Sequence, residues 1–275
     1  MKHRINIPWD GHLLSAACLS VLLAVGGCES GESLPASADP VEVSLFTKGI
    51  TGSNESALSY RLLVFNEQKC INNISFVPGS SSVSLAAGTY SFAALSVPEG
   101  LNLPAAADTP DEITPDWLLG FGSKPVREFR IGAPTEVKVG DASTAYTATL
   151  ESATAVVSLN LSNLPSDKEV KFKLSNMYTL VKLSDLTYSG ETAYPLNLDG
   201  ETVCFPCKGD VELTYTVDGG ESKTIYTGSS LKAGSRLSVL LGWSEDAHTF
   251  LLLSSTVTDW VPGNGSAQEG SALNN

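Results

Sequence analysis

The chain holds few residues whose type and spacing could do chemistry, and its thiols come first. Cys204-Phe205-Pro206-Cys207 has the C-x-x-C spacing of a redox pair or of half a metal site. No helical pattern follows it, as a thioredoxin-like site requires. His248 is the only histidine beyond residue 12, so a zinc shell would need Cys70, Cys204, Cys207 and that one imidazole together. The expectation is therefore a local disulfide or small buried thiols. His248 itself falls in an expected hairpin turn after Asp246, with no nucleophile set beside it. Asp108, Asp111, Glu112 and Asp116 crowd one loop, but they match no calcium-binding spacing and read as a solvated acidic stretch. No glycine loop of the phosphate-cradling kind appears. The sequence thus predicts no catalytic residue, no metal and no cofactor.

Cys28 is the thiol with a chemical prospect. Lys2 and Arg4 precede an apolar run from Leu13 to Val25, which ends in Val25-Gly26-Gly27-Cys28. A positive start, an apolar core and small residues before a cut make a secretory signal peptide. That core is shorter than the roughly 20 residues a membrane span needs. A cysteine directly after the small pair resembles the bacterial lipobox, which implies cleavage between Gly27 and Cys28 and acylation of the freed thiol. Residues 1–27 are then the lipoprotein signal peptide, and the polar, Ser- and Pro-containing residues 28–40 a flexible tether. Without Lys2, Arg4 and Asp10 the net charge of −13 becomes −14. Such acidity argues against nucleic acid and against a basic membrane-binding face.

From Val41 onward the pattern is β. Val41, Val43 and Leu45 alternate with Glu42 and Ser44, the period of a half-buried strand. Strands are expected at Ser59 to Phe65, Ile74 to Val77, Ser82 to Leu85 and Thr89 to Val97. A proline-rich surface excursion follows from Pro98 to Asp116. The pattern restarts near Thr147, with strands at Ala155 to Leu161, Val170 to Leu174, Tyr178 to Leu183 and Thr202 to Phe205. Val211 to Val217, Asp218-Gly219-Gly220 and Glu221 to Thr227 form the clearest hairpin, and Leu237 to Trp260 a second. No convincing amphipathic helix appears. Length and the restart predict two tandem Greek-key β-sandwiches, at residues 41–148 and 149–262, with a disordered tail at 263–275.

Several stretches together resemble the fimbrillin family, the type V pilin proteins of Bacteroidota. Leu85-Ala86-Ala87-Gly88-Thr89-Tyr90-Ser91-Phe92 is similar to the family's strand–"aGtY"–strand hairpin, and Asp116-Trp117-Leu118-Leu119-Gly120 to its "D-x-L-x-G" element. Residues 150–164 look like the strand opening the second domain, with Glu151 where the family has histidine. Phe205-Pro206 stands where the family tends to have Pro-Gln, and Thr256-Val257-Thr258-Asp259-Trp260 resembles the closing strand. The resemblance implies two transthyretin-like sandwiches on a lipoprotein of the outer membrane or fimbrium. It also implies assembly with other pilin subunits by strand exchange, and a receptor on a host or bacterial surface.

In that mechanism the first strand, with Val41, Val43 and Leu45, fills a groove that a partner strand later takes over. The family's arginine cleavage site has no counterpart here. The loop after the first strand begins at Lys48-Gly49, which makes Lys48 the basic residue nearest a processing site, and the first arginine after Cys28 is Arg61. The polar tail also lacks the alternating apolar residues of a donor strand. Both departures favour a tip or anchor subunit over a repeating one. The competing expectation is a surface lipoprotein that binds a glycan or a host protein without forming a pilus, with Trp117 and Trp243 as stacking platforms. An enzyme finds no support in these residues.

Overall fold

Period-two alternation produces strands, and the computed structural model contains nineteen of them and no α-helix among the described residues, which are 39–48, 59–106, 112–140 and 144–260. The first half of the chain supplies β1 (Val41–Lys48), β2 (Tyr60–Asn66), β3 (Lys69–Phe76), β4 (Ser81–Leu85) and β5 (Gly88–Ser96). It continues with β6 (Leu118–Gly120), β7 (Arg130–Val139), β8 (Thr144–Thr149) and β9 (Glu151–Ser152). A three-stranded sheet, β4-β1-β8, packs on a five-stranded one, β3-β2-β5-β7-β9. Val43, Leu45, Leu62, Val64, Phe92 and Tyr146 fill the space between them. The Tyr146 ring meets Phe92 edge-on at 5.0 Å, the offset geometry aromatic pairs prefer.

The second half supplies β10 (Ala155–Ser162), β11 (Val170–Met177), β12 (Leu180–Lys182), β13 (Tyr188–Ser189) and β14 (Thr192–Pro195). After these come β15 (Glu201–Cys204), β16 (Cys207–Val217), β17 (Lys223–Ser230), β18 (Ser235–Ser244) and β19 (Thr249–Asp259). Its two sheets run β15-β10-β18-β19 and β14-β11-β16-β17. They enclose a core that includes Val157, Phe172, Tyr215, Leu237, Trp243 and Phe250.

The pairing scheme of the first sandwich recurs in the second. β1 lies antiparallel to β4 and parallel to β8, as β10 lies antiparallel to β15 and parallel to β18. β2 sits between β3 and β5, as β11 sits between β14 and β16, and β7 flanks β5 as β17 flanks β16. Each copy adds one strand of its own: β9 beside β7 and β19 beside β18. Parallel neighbours cannot be joined by a tight hairpin, so both copies close only when distant segments meet.

A third apolar cluster ties the halves together. β6 from the first half pairs with β12 from the second, in a small sheet ordered β13-β12-β6. Gly120 lies at that crossing, where a Cβ would stand 2.8 Å from the Thr179 carbonyl, so no side chain fits. Phe205 inserts between Phe121 and Phe129, with ring centroids 6.1 and 6.0 Å away. Leu63, Leu95, Ile113 and Val181 complete the cluster on the outer face of the five-stranded sheet.

Three expectations change. The stretch from Pro98 to Asp116 is not simply a surface excursion: Leu101 and Ile113 are buried in the third cluster, because the outer face of β2 and β5 is apolar and must be covered. Arg61 and Asn73 hold the covering loop by donating to the carbonyls of Pro104 and Ala105. The hand-over between sandwiches falls at residues 153–154 rather than 149, since Glu151 and Ser152 still pair with β7. The strand β7 is unforeseen by pattern. Its register skips from Thr135 to Gly132 opposite Phe92 and Ala94, a bulge that accommodates Pro134 inside a ladder. Residues 1–38 and the tail from residue 261 lie outside the described residues.

Because Phe205 belongs to both halves, Phe205→Ala should cost about 3–5 kcal/mol. Scanning calorimetry should show both sandwiches melting earlier. A loss confined to the second sandwich would contradict this role.

Candidate functional site

Val43 and Leu45 point inward because every second residue of a strand faces one side, and both are 0% exposed. Val41, partly buried, packs on the same core, while Glu42, Ser44 and Phe46 face outward. β1 occupies the middle of its sheet. It pairs with β4 from Val41–Leu85 to Leu45–Ser81, and with β8 from Val43–Thr144 to Lys48–Thr149. Its end is fixed too: the Gly79 amide donates to the Leu45 carbonyl at 2.7 Å and the Leu150 amide to the Lys48 carbonyl at 3.0 Å. Without β1, a gap of roughly 10 Å would separate β4 from β8, two strand spacings wide. Its walls would be two unpaired backbone edges and its floor the apolar side of the opposite sheet.

The repeat makes the comparison with β10 informative. β10 holds the same middle position, but only Ala153 and Thr154 separate it from β9, and both are buried. β1 is followed by residues 49–59 before β2 begins. Lys48, the basic residue expected near a processing site, is exposed at the last position of β1. Arg61 is inside β2, its guanidinium bonded to Asn73 and Pro104, with its peptide bonds in the ladder. Gly27 and Cys28 lie outside the described residues.

The C-x-x-C segment turns out to be a crossing between sheets. Cys204 ends β15 and Cys207 starts β16, and both thiols are free and buried in the second core. The Cys207 sulfur accepts the Leu231 amide at 3.0 Å. Phe205, between the two cysteines, turns the other way into the third cluster. That geometry was hidden in the sequence, where the cysteines drew attention and the phenylalanine did not. Burial pushes both thiols above their ordinary range, and the nearby Cys207 sulfur adds to the shift at Cys204. Burial likewise pushes the Tyr146 and Tyr188 phenols up to about 12.

The other singled-out residues disperse. His248 is exposed in the β18–β19 turn at φ 47°, its carbonyl accepting Lys223 Nζ. Asp116 pairs with Ser184 and Lys182, while Asp108 and Asp111 fall outside the described residues. Trp243 is buried in the second core, and Trp117 packs on the third cluster with its indole donating to the Asn102 carbonyl. Trp243 therefore offers no open stacking face, while Trp117 is partly exposed. A cleft that sequence reasoning missed, of about 510 Å³, opens where the 121–126 loop faces β14 and β15. Lys124, Tyr194, Asn197 and Thr202 line it above Phe121 and Phe205.

No protein-family profile and no curated protein matches the chain. Solved structures do share its fold. A candidate polysaccharide-binding protein from Bacteroides thetaiotaomicron superposes with a TM-score of 0.60 at 13% identity, covering 81% of this chain and 96% of its own. A candidate adhesin from Bacteroides ovatus gives 0.57 at 11% identity, covering 81% and 93%. The fimbrial anchor protein Mfa2 of Porphyromonas gingivalis gives 0.54 at 13% identity, covering 80% and 97%. At such identities the likeness is one of fold, and it bears out the all-β, two-sandwich expectation.

The buried thiols and phenols stay protonated in the folded chain, whereas unfolded thiols ionise near pH 8.5 and phenols near 10. Stability is therefore full below those values and lost as pH rises through them, because the unfolded chain sheds protons that the folded chain keeps. The urea midpoint should hold between about pH 6 and 8 and fall progressively above about 8.5. A midpoint that climbs in that range would contradict the burial of these groups.

Proposed function

We propose that this chain is a structural, adhesive fimbrial subunit, of the tip or anchor kind, joined to its partners by strand exchange at the β1 position. The observation that carries this reading is β1 itself, a fully inserted middle strand on a long connection. Val43 and Leu45 contribute about 1.5–3 kcal/mol each by burial. An incoming strand with the same alternation would recover that contribution and both backbone ladders. The neighbours of the same fold support the reading, since one is a fimbrial anchor and another a candidate adhesin. Acylated Cys28 would hold the body at the outer membrane, at the cell surface, through the 28–40 tether.

A second reading rests on the cleft beside β14 and β15. One neighbour is described as a candidate polysaccharide-binding protein, and Lys124, Tyr194, Asn197 and Thr202 could hold sugar hydroxyls there. Calorimetric titration with surface oligosaccharides, lost on Tyr194→Ala, would favour that reading.

Strand exchange is tested by placing a protease site within residues 49–58 and cutting it. A labelled peptide of the β1 sequence should then replace the severed strand, and the same peptide carrying Val43→Asp and Leu45→Asp should not. Equal uptake of both peptides would exclude a groove that reads alternate side chains. Mass spectrometry of membrane-purified protein should show three acyl chains on Cys28, and a free thiol there would remove the anchor.

A further inference from the structure

The cleft beside β14 and β15 has a polar chemistry that narrows the ligand it can take. Both halves of the chain build it, the 121–126 loop on one side and the two short strands on the other. Pro125, Val126, Tyr194, Pro195 and Val203 give it apolar walls. Its volume of about 510 Å³ is that of a small-ligand site, for which roughly 300–1,000 Å³ is usual.

Several polar groups of the lining are already engaged. The Tyr194 hydroxyl donates to the Tyr178 carbonyl at 2.8 Å, so its ring rather than its proton is on offer. Thr202 Oγ1 accepts the Asn197 amide at 2.9 Å, and Asn197 Oδ1 accepts the Asp199 amide at 3.1 Å. These side chains can therefore still give the Thr202 hydroxyl proton and the Asn197 side-chain NH2 group, and both are donors. The Glu201 carboxylate is neutralised by Arg236 at 2.6 Å. Lys124 adds an ammonium, which donates and carries charge. Its stem crosses Gly100, where a Cβ would stand 3.0 Å from Lys124 Cδ. Among the described residues its ammonium has no ion pair or hydrogen bond.

A free cation and neutral donors in one apolar-walled cleft suit an acceptor-rich anion on a body with apolar faces. We propose, resting on the sugar-binding reading above, that the cleft takes a carboxylated sugar of the uronic-acid class. Its carboxylate sits on Lys124 and its hydroxyls on Asn197 and Thr202. A peptide fits less well. β14 and β15 are four residues each, and Pro195 has no amide to give, so an added strand gains little backbone pairing. The net charge of −13 on the chain does not decide the matter, because salt screens exposed charges beyond about 8 Å.

The test is calorimetric titration of the full chain with oligosaccharides of galacturonate and of glucuronate. Each is compared with the same oligosaccharide after its carboxylates are reduced to alcohols. The acidic forms should bind at least about tenfold more tightly, the worth of a hydrogen bond to a charged group. Raised salt should shrink that preference. Lys124→Gln should abolish it at an unchanged melting temperature, as expected of an exposed side chain. Equal binding of acidic and reduced forms would overturn the proposal and leave the sugar reading standing, whereas binding of neither would remove both. A preference that survives Lys124→Gln would overturn it too, as would tighter binding of a peptide that ends in a free carboxylate.

Discussion

The first sandwich is closed by a strand that enters it from one end of the chain and is held between two partners distant in sequence. β1 supplies two fully buried side chains to the core and satisfies the backbone edges of β4 on one side and β8 on the other. Leaving those edges open would expose unpaired amides and carbonyls beside apolar surface, a costly arrangement. The integrity of the body thus rests on one segment. Its contribution of a few kcal/mol is comparable with a sizeable part of a domain's net stability.

The internal repeat shows why this strand differs from its counterpart. β10 has the same neighbours and the same parallel partner, but it is pinned by a two-residue link to β9 and by the third cluster just beyond β15. The two strands are thus alike in packing and unlike in connectivity. Phe205 and Gly120 serve the complementary purpose. They join the two sandwiches to each other.

The alternation at Val41, Val43 and Leu45 was legible in the sequence because one face of β1 is buried and the other wet. The β16–β17 hairpin was legible for the same reason, with Asp218 and Gly219 in the positive-φ turn that the sequence indicates. β7 was not, because its bulge hides Pro134 within a strand, and a local pattern takes that proline for a break. The third cluster was invisible for a different reason: Leu101, Ile113 and Phe205 come from loops and strand ends that carry no period. The parallel contacts of β1 with β8 and of β10 with β18 join segments about a hundred residues or fewer apart, which local alternation does not encode. For the β1 position, the side chains could be read from the sequence, while its partners β4 and β8 could not.

Native-state hydrogen exchange of the two middle strands tests the central claim most directly. If β1 can leave on its own, the amides of Val43 to Phe46 exchange through a local opening and do so well before those of Val157 to Leu159 in β10. If both sets exchange together, at the rate of global unfolding, β1 is an ordinary core strand and the account fails.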